Sequence, residues 1–228
     1  MLKVNHPLDL VWIVCAIFFT VGCADPLPDE PLVSARISGN ARIPIETVLE
    51  VVSAENDVAR SLYTSQIVGG GLKAGIPFDE DWQDIDVHAG PLPALFLRGA
   101  SSSIARSPVP LGLFLGSDFP IAQANAFSEV QQEKFEQIRL DGDPQLFYDD
   151  DVALNTAMFK DVAVAMPCVT CHNEHPESPK TDWVLDDIMG ATTWTYPRNE
   201  VTTEEFFSIV EAYRNGVRDS YEAFVLET

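Results

Sequence analysis

The chain is poor in cysteine, histidine, positive charge and long apolar runs. Four cysteines and four histidines in 228 residues exclude a dense disulfide framework and leave few side chains for metal or redox chemistry. Lysine and arginine number 14 against 35 aspartate and glutamate, a formal net charge of −21. Nucleic acid and anionic lipid surfaces both require gathered cations, so neither is expected as a partner. The one extended apolar run, residues 10–21, is shorter than the ~20 residues a helix needs to span a bilayer. No internal repeat or low-complexity tract is present. The acidic clusters Asp79-Glu80-Asp81 and Asp149-Asp150-Asp151 lack the spaced ligands of a calcium loop and read as solvated turns.

What is present is concentrated in one stretch, Cys168-Val169-Thr170-Cys171-His172, followed by Asn173-Glu174-His175-Pro176. Two cysteines three apart can each add through sulfur to one vinyl group of a haem. A histidine directly after the second can turn its imidazole onto the iron, so the pattern reads as c-type haem attachment. Two other chemistries compete. A C-x-x-C redox pair uses the same cysteines, but no βαβ pattern precedes it. Zinc could draw on Cys168, Cys171, His172 and His175, although zinc ligand pairs usually come from segments separated by a dozen or more residues.

The N-terminus has the layout of an export signal. Residues 1–9 carry Lys3, the apolar run follows, and Gly22-Cys23-Ala24 leads into acidic, proline-rich sequence. Thr20-Val21-Gly22-Cys23 resembles the bacterial lipoprotein signal, in which the cysteine becomes the lipidated first residue; cleavage after Ala24 is the alternative. The expectation is a signal over residues 1–24, a linker over 25–45, and an exported, periplasmic domain over 46–228 held to a membrane by lipid on Cys23. Covalent haem attachment in bacteria takes place outside the cytoplasm, so export and the C-x-x-C-H stretch agree. Loss of Cys15 with the signal leaves Cys168 and Cys171 as the cysteines of the folded part.

Roughly 200 mature residues can bury one sizeable core, and one domain is expected. Apolar residues at 49, 52, 58, 62 and 63 predict a helix over 46–68, stopped by Gly69-Gly70-Gly71. A proline-punctuated region follows, in which the apolar runs 92–97 and 111–115 read as buried strands or as loops packed on a ligand. Phe127, Val130, Phe135 and Ile138 predict a helix over 121–141, stopped by Gly142. Residues 145–148, 154–162 and 188–196 read as strands. Thr202 and Glu205 form a capping-box pattern that opens a last helix carrying Phe206, Val210, Tyr213, Val217, Tyr221 and Phe224. Hairpin-like succession of strands between helices gives α+β with an antiparallel sheet.

The stretch from Cys168 to Trp183, then Asp187-Ile188-Met189-Gly190-Ala191, resembles the signature of a PAS-like c-type haem sensor-domain family, long catalogued as a domain of unknown function. Ser107-Pro108-Val109-Pro110-Leu111-Gly112, Phe147-Tyr148 and Thr156-Ala157-Met158-Phe159 are similar to it as well, especially to members fused to nucleotide cyclases or histidine kinases. The resemblance covers roughly residues 46–226. It implies a PAS-like antiparallel sheet with flanking N- and C-terminal helices. It also implies one covalent haem c on Cys168 and Cys171, with His172 as axial iron ligand.

The chain departs from the family at two points. Some members take the sixth iron ligand from a cysteine on the N-terminal helix, and residues 46–75 here contain none. Candidates for that position by chemistry are His88, Met166 and Met189, with Met158 and His175 behind them; His175 follows His172 too closely to reach the opposite face of one haem. Residue 228 follows directly on the last helix, so a signal is expected to pass to a separate protein. Arg98, Arg106, Lys160, Lys180 and Arg198 are the basic residues nearest the haem-like segments and could meet its propionates. Trp183, Trp194 and Phe114 could pack on a porphyrin or be plain core.

The expected function is an exported haem-binding module that senses redox state or a diatomic gas through a signalling or redox partner. A membrane-anchored c-type electron carrier is the alternative, and it needs two firm axial ligands. A haem peroxidase is a third class. No motif fixes the distal histidine and arginine it requires, and no turnover is expected.

Overall fold

The computed structural model describes residues 41–227. The expected signal over residues 1–24, the lipidation site Cys23 and most of the 25–45 linker lie outside the described residues. In chain order the elements are β1 (Arg42–Pro44), α1 (Ile45–Leu62), a π-helical turn (Tyr63–Val68), α2 (Gly69–Lys73), β2 (Phe78–Asp79), β3 (Gly90–Pro91), α3 (Pro93–Arg106) and β4 (Gly112–Gly116). Then come α4 (Glu129–Asp141), β5 (Gln145–Asp149), β6 (Leu154–Val162), α5 (Met166–Glu174), β7 (Ile188–Tyr196), β8 (Glu200–Thr202) and α6 (Thr203–Glu227). The architecture is α+β, as expected, around a four-stranded antiparallel sheet in the order β4-β7-β6-β5.

Alternation along the strands puts a core on each face of this sheet. Leu113, Ala157, Trp194 and Tyr196 point one way and pack against Ile45, Val48, Leu49 and Val52 of α1 and Ile209, Val210 and Tyr213 of α6. Met158 and Ala191 point the other way, onto Phe135 and Ile138 of α4. A short antiparallel ribbon of β1 with β8, Ile43 opposite Val201, joins the starts of α1 and α6. The capping box expected at Thr202 forms. Thr202 Oγ1 accepts from the Glu205 amide at 3.2 Å while Glu205 Oε2 accepts from the Thr202 amide at 2.8 Å. Ser128 and Gln131 make the same exchange at the start of α4.

Three local expectations change. The triple glycine does not stop the first helix: Gly69, Gly70 and Gly71 lie in α2, and the chain turns at Gly75 with φ +85°. Glycine costs only about 1 kcal/mol per helical position, and burial of Tyr63 and Val68 against Phe96, Leu97 and Phe224 carries the segment on. Second, Val58 and Leu62, expected on the buried face of α1, are 69% and 58% exposed. The inward face beyond Val52 is polar instead, with Ser53, Asn56, Arg60 and Thr64 buried. Third, residues 92–97 begin α3, with Pro93 in its first turn, where a fixed φ suits the helix and a missing amide proton is no loss.

The α3–α6 pair is close because small residues line it. A Cβ on Gly216 would lie 2.9 Å from the Ala100 carbonyl oxygen, and Ser220 Oγ donates to the Phe96 carbonyl at 2.7 Å. On β7, a Cβ on Gly190 would fall 2.2 Å from the Gly116 carbonyl oxygen, so only glycine admits the neighbouring strand there.

Candidate functional site

Helix α5 presents the C-x-x-C-H residues together. Positions three and four apart lie on one helical face, so Cys168, Cys171 and His172 form a single cluster. Pro167 sits in the first turn of α5 and His175 at its C-terminal cap. All three cluster side chains line a cleft whose opposite wall comes from the start of α3, the end of β4 and the loop after it, with Leu92, Leu95, Leu115 and Phe119 among its apolar residues. The cleft holds about 230 Å³ of space open to water, within about 1190 Å³ of atom-free volume that includes its mouth. Where β6 and β7 lose register, between Asp161 and Val162, both residues also reach this cleft. A bulge of this kind re-aims side chains at a strand end.

The loop after α5 is clipped to it. Asn173 Nδ2 donates to the Trp183 carbonyl and the Trp183 amide donates to Asn173 Oδ1, both at 2.9 Å. Trp183, 5% exposed, then stands edge-on to the His172 ring at 6.5 Å between centroids. Lys180 Nζ lies 4.4 Å above the Trp183 ring. His172 Nδ1 is buried with no hydrogen-bond partner. Burial lowers the His172 pKa, an effect that the Asp161 carboxylate partly offsets and the neighbouring His175 adds to.

Both cysteines are free. Burial raises both thiol pKa values; at Cys168 two backbone hydrogen bonds and the Arg60 charge oppose the rise, and at Cys171 the acidic side chains Glu80 and Glu174 add to it. This is the reverse of a C-x-x-C redox site, which works by lowering a thiol pKa. Iodoacetamide should therefore modify the haem-free folded chain slowly at neutral pH. The rate should climb only as pH passes above the ~8.5 of an ordinary cysteine, as followed by mass spectrometry. Rapid alkylation at pH 7 would contradict the geometry. Among the described residues, no three His, Cys, Asp or Glu side chains converge to hold a metal ion. The four-ligand zinc arrangement of Cys168, Cys171, His172 and His175 is thus not assembled.

The remaining sequence candidates separate clearly. Met189, 8% exposed, lines the cleft with His172. Met166 is 55% exposed and His88 lies on the surface, and neither lines it. Met158 is fully buried under α4. His175 reaches the cleft, but its Nδ1 accepts from the Glu177 amide at 3.1 Å and its Nε2 faces Glu80 Oε2 at 3.4 Å, so both ring nitrogens are engaged. Of the basic residues, Arg98 is at the cleft. Lys180 pairs with Asp182 and Arg198 with Glu205, and Arg106 and Lys160 are not in the lining. Trp194 and Phe114 do not line it either.

Sequence reading missed Arg60 and Asp161, which form an ion pair in the cleft wall. Arg60 Nη2 also donates to the Val162 carbonyl at 3.2 Å. A signal for Arg60 existed: it continues the stripe of Val48, Val52 and Asn56 along α1, a charged residue on an inward face. Asp161 gave none, because a polar residue near a strand end is ordinary. Compared with protein-family models, with curated proteins and with solved structures, the chain matches none.

Proposed function

We propose that this chain is a c-type haem protein of the PAS-like sensor kind, holding one haem on Cys168 and Cys171 with His172 as iron ligand. In this reading it responds to redox state or to a diatomic gas and acts through a partner protein. The observation that carries the reading is the convergence of both thiols and the His172 imidazole on one largely apolar cleft. The residues fit the group. His172 Nδ1 and Arg60 Nε are buried polar atoms without partners, and the two thiols are free and three apart on α5. An antiparallel sheet flanked by α1 and α6 is consistent with the PAS-like resemblance.

A haem held here by Cys168, Cys171 and His172 would supply an iron that changes oxidation state and could take a further ligand. The chain's own residues do the rest. Cys168 and Cys171 anchor the group from a single helix face. Trp183, held by the Asn173 clip, fixes one side of the His172 ring. Leu92, Leu95, Leu115 and Phe119 would give the group an apolar wall to pack on. Export belongs to the same reading, through the signal-like residues 1–24 and lipid on Cys23. No helix among the described residues is long and apolar enough to cross a membrane.

One observation favours a second reading. Met189 lines the same cleft, and a methionine paired with a histidine on iron is the ligation of electron-carrying cytochromes. An absorption spectrum of the purified protein, oxidised and reduced, with and without carbon monoxide, separates the two. Rapid carbon monoxide binding by the reduced form is the expected sensor result. A low-spin spectrum that carbon monoxide leaves unchanged moves the assignment to the carrier, and no haem absorption at all overturns both.

A further inference from the structure

Arg60 occupies an unusual place for a cation in this chain. Among the described residues it is the one buried lysine or arginine, 8% exposed, in a sequence that has only 14 of them and a net charge of −21. A buried guanidinium is costly unless its charge and its donors are all met. Here two nitrogens are met and the third is not. Nη1 faces Asp161 and Nη2 donates to Val162, which leaves each of them a second N–H, while Nε is sealed within the protein without an acceptor. The same side chain lines the cleft beside Cys168 and His172. Arg60 and Arg98 balance Glu80 and Asp161 in the lining, so an acidic protein keeps this cleft locally neutral.

We propose that Arg60 is the anion-holding residue of the cleft, donating from its guanidinium to a negatively charged atom of what is bound alongside His172. The proposal rests on the haem reading. Within it the anion has two sources, a propionate carboxylate of the haem or a small inorganic anion at the iron. Both present delocalised negative charge to a planar donor, which arginine matches and lysine matches poorly. The tethers to Asp161 and Val162 hold the guanidinium ready. Asp161 is the partner that keeps Arg60 neutralised when no other anion is present.

The test uses the full chain produced with haem-maturation machinery. Wild type is compared with Arg60→Lys and with the double variant Arg60→Met, Asp161→Asn, which removes both charges and leaves no lone buried carboxylate. Azide is titrated into the oxidised protein and carbon monoxide, a neutral ligand, into the reduced protein. The propionate bending band is read by resonance Raman. A tenfold or greater loss of azide affinity in both variants, with carbon monoxide affinity unchanged, assigns Arg60 to a small anion. A shifted propionate band with unchanged azide affinity assigns it to the haem's own carboxylate. Haem-loaded variants in which neither changes overturn the proposal, and if the double variant fails to fold, Arg60→Lys alone decides. A wild-type chain without covalent haem overturns the haem reading and this proposal with it, so the wild-type spectrum distinguishes the two failures.

Discussion

Denatured wild-type protein, made with haem-maturation machinery, should keep its haem through electrophoresis, and the double variant Cys168→Ala, Cys171→Ala should keep none. The expected effect is complete because it is covalent. Each thiol adds across one vinyl C=C, sulfur to one carbon and hydrogen to the other, and no oxidant is needed. With both sulfurs gone, only non-covalent packing in the cleft and His172 remain, and denaturant removes both. Either single variant should keep one thioether and retain haem, with a reduced absorption band displaced by the vinyl group left unreacted. Mass spectrometry gives a direct check, since attachment adds the full mass of haem. Wild-type protein that binds zinc tightly and carries no haem would overturn the assignment. The variants should fold, because both cysteines are only half-buried and their neighbours Val169 and Trp183 carry the local packing.

Trp194→Ala should lower the unfolding free energy by about 3–5 kcal/mol and leave the haem spectrum of the folded protein unchanged. Trp194 is fully buried and belongs to the core between the sheet and helices α1 and α6. Its ring meets Tyr213 edge-on, with centroids 5.7 Å apart. The lost apolar surface and the cavity left behind both contribute, and strands paired on either side limit collapse into the gap. Chemical denaturation followed by circular dichroism measures the loss. Trp183→Ala is the informative contrast, because Trp183 lies beside His172 and its removal should alter the spectrum. A spectral change in Trp194→Ala would place that ring on the porphyrin instead.

Much of the fold is legible in residue order. Residues 154–162 and 188–196, expected as strands, coincide with β6 and β7; with a core on each face of the sheet, β7 buries nearly every side chain and reads as a continuous run between its turns. The stop at Gly142 and the start at Thr202 are equally local, each needing one backbone conformation or one side chain three residues away; the helix expected from residue 121 begins only at Glu129, after the capping box of Ser128 and Gln131. Helix α3 was hidden because Leu92 to Leu97 is apolar whichever element it forms. The choice was made by packing against α6, where Ser220 meets Phe96 across 124 residues of chain. The exposure of Val58 and Leu62 has the same origin, since burial of Asn56 and Arg60 turns the far end of α1 away from a purely apolar interface.

By itself the sequence determined the chemistry available at the site: two thiols and an imidazole at the C-x-x-C-H spacing, in a strongly acidic chain. That information is local, because one helical turn is enough to bring Cys168, Cys171 and His172 onto one face. Only the tertiary structure decided what stands opposite and around them. It chose Met189 over Met166 and His88 as the neighbour in the cleft, and placed Arg60 of α1 against Asp161 of β6. Those choices depend on how α1, α5 and the strand ends pack across the chain. Residues separated by a hundred positions carry no spacing from which such contacts can be read.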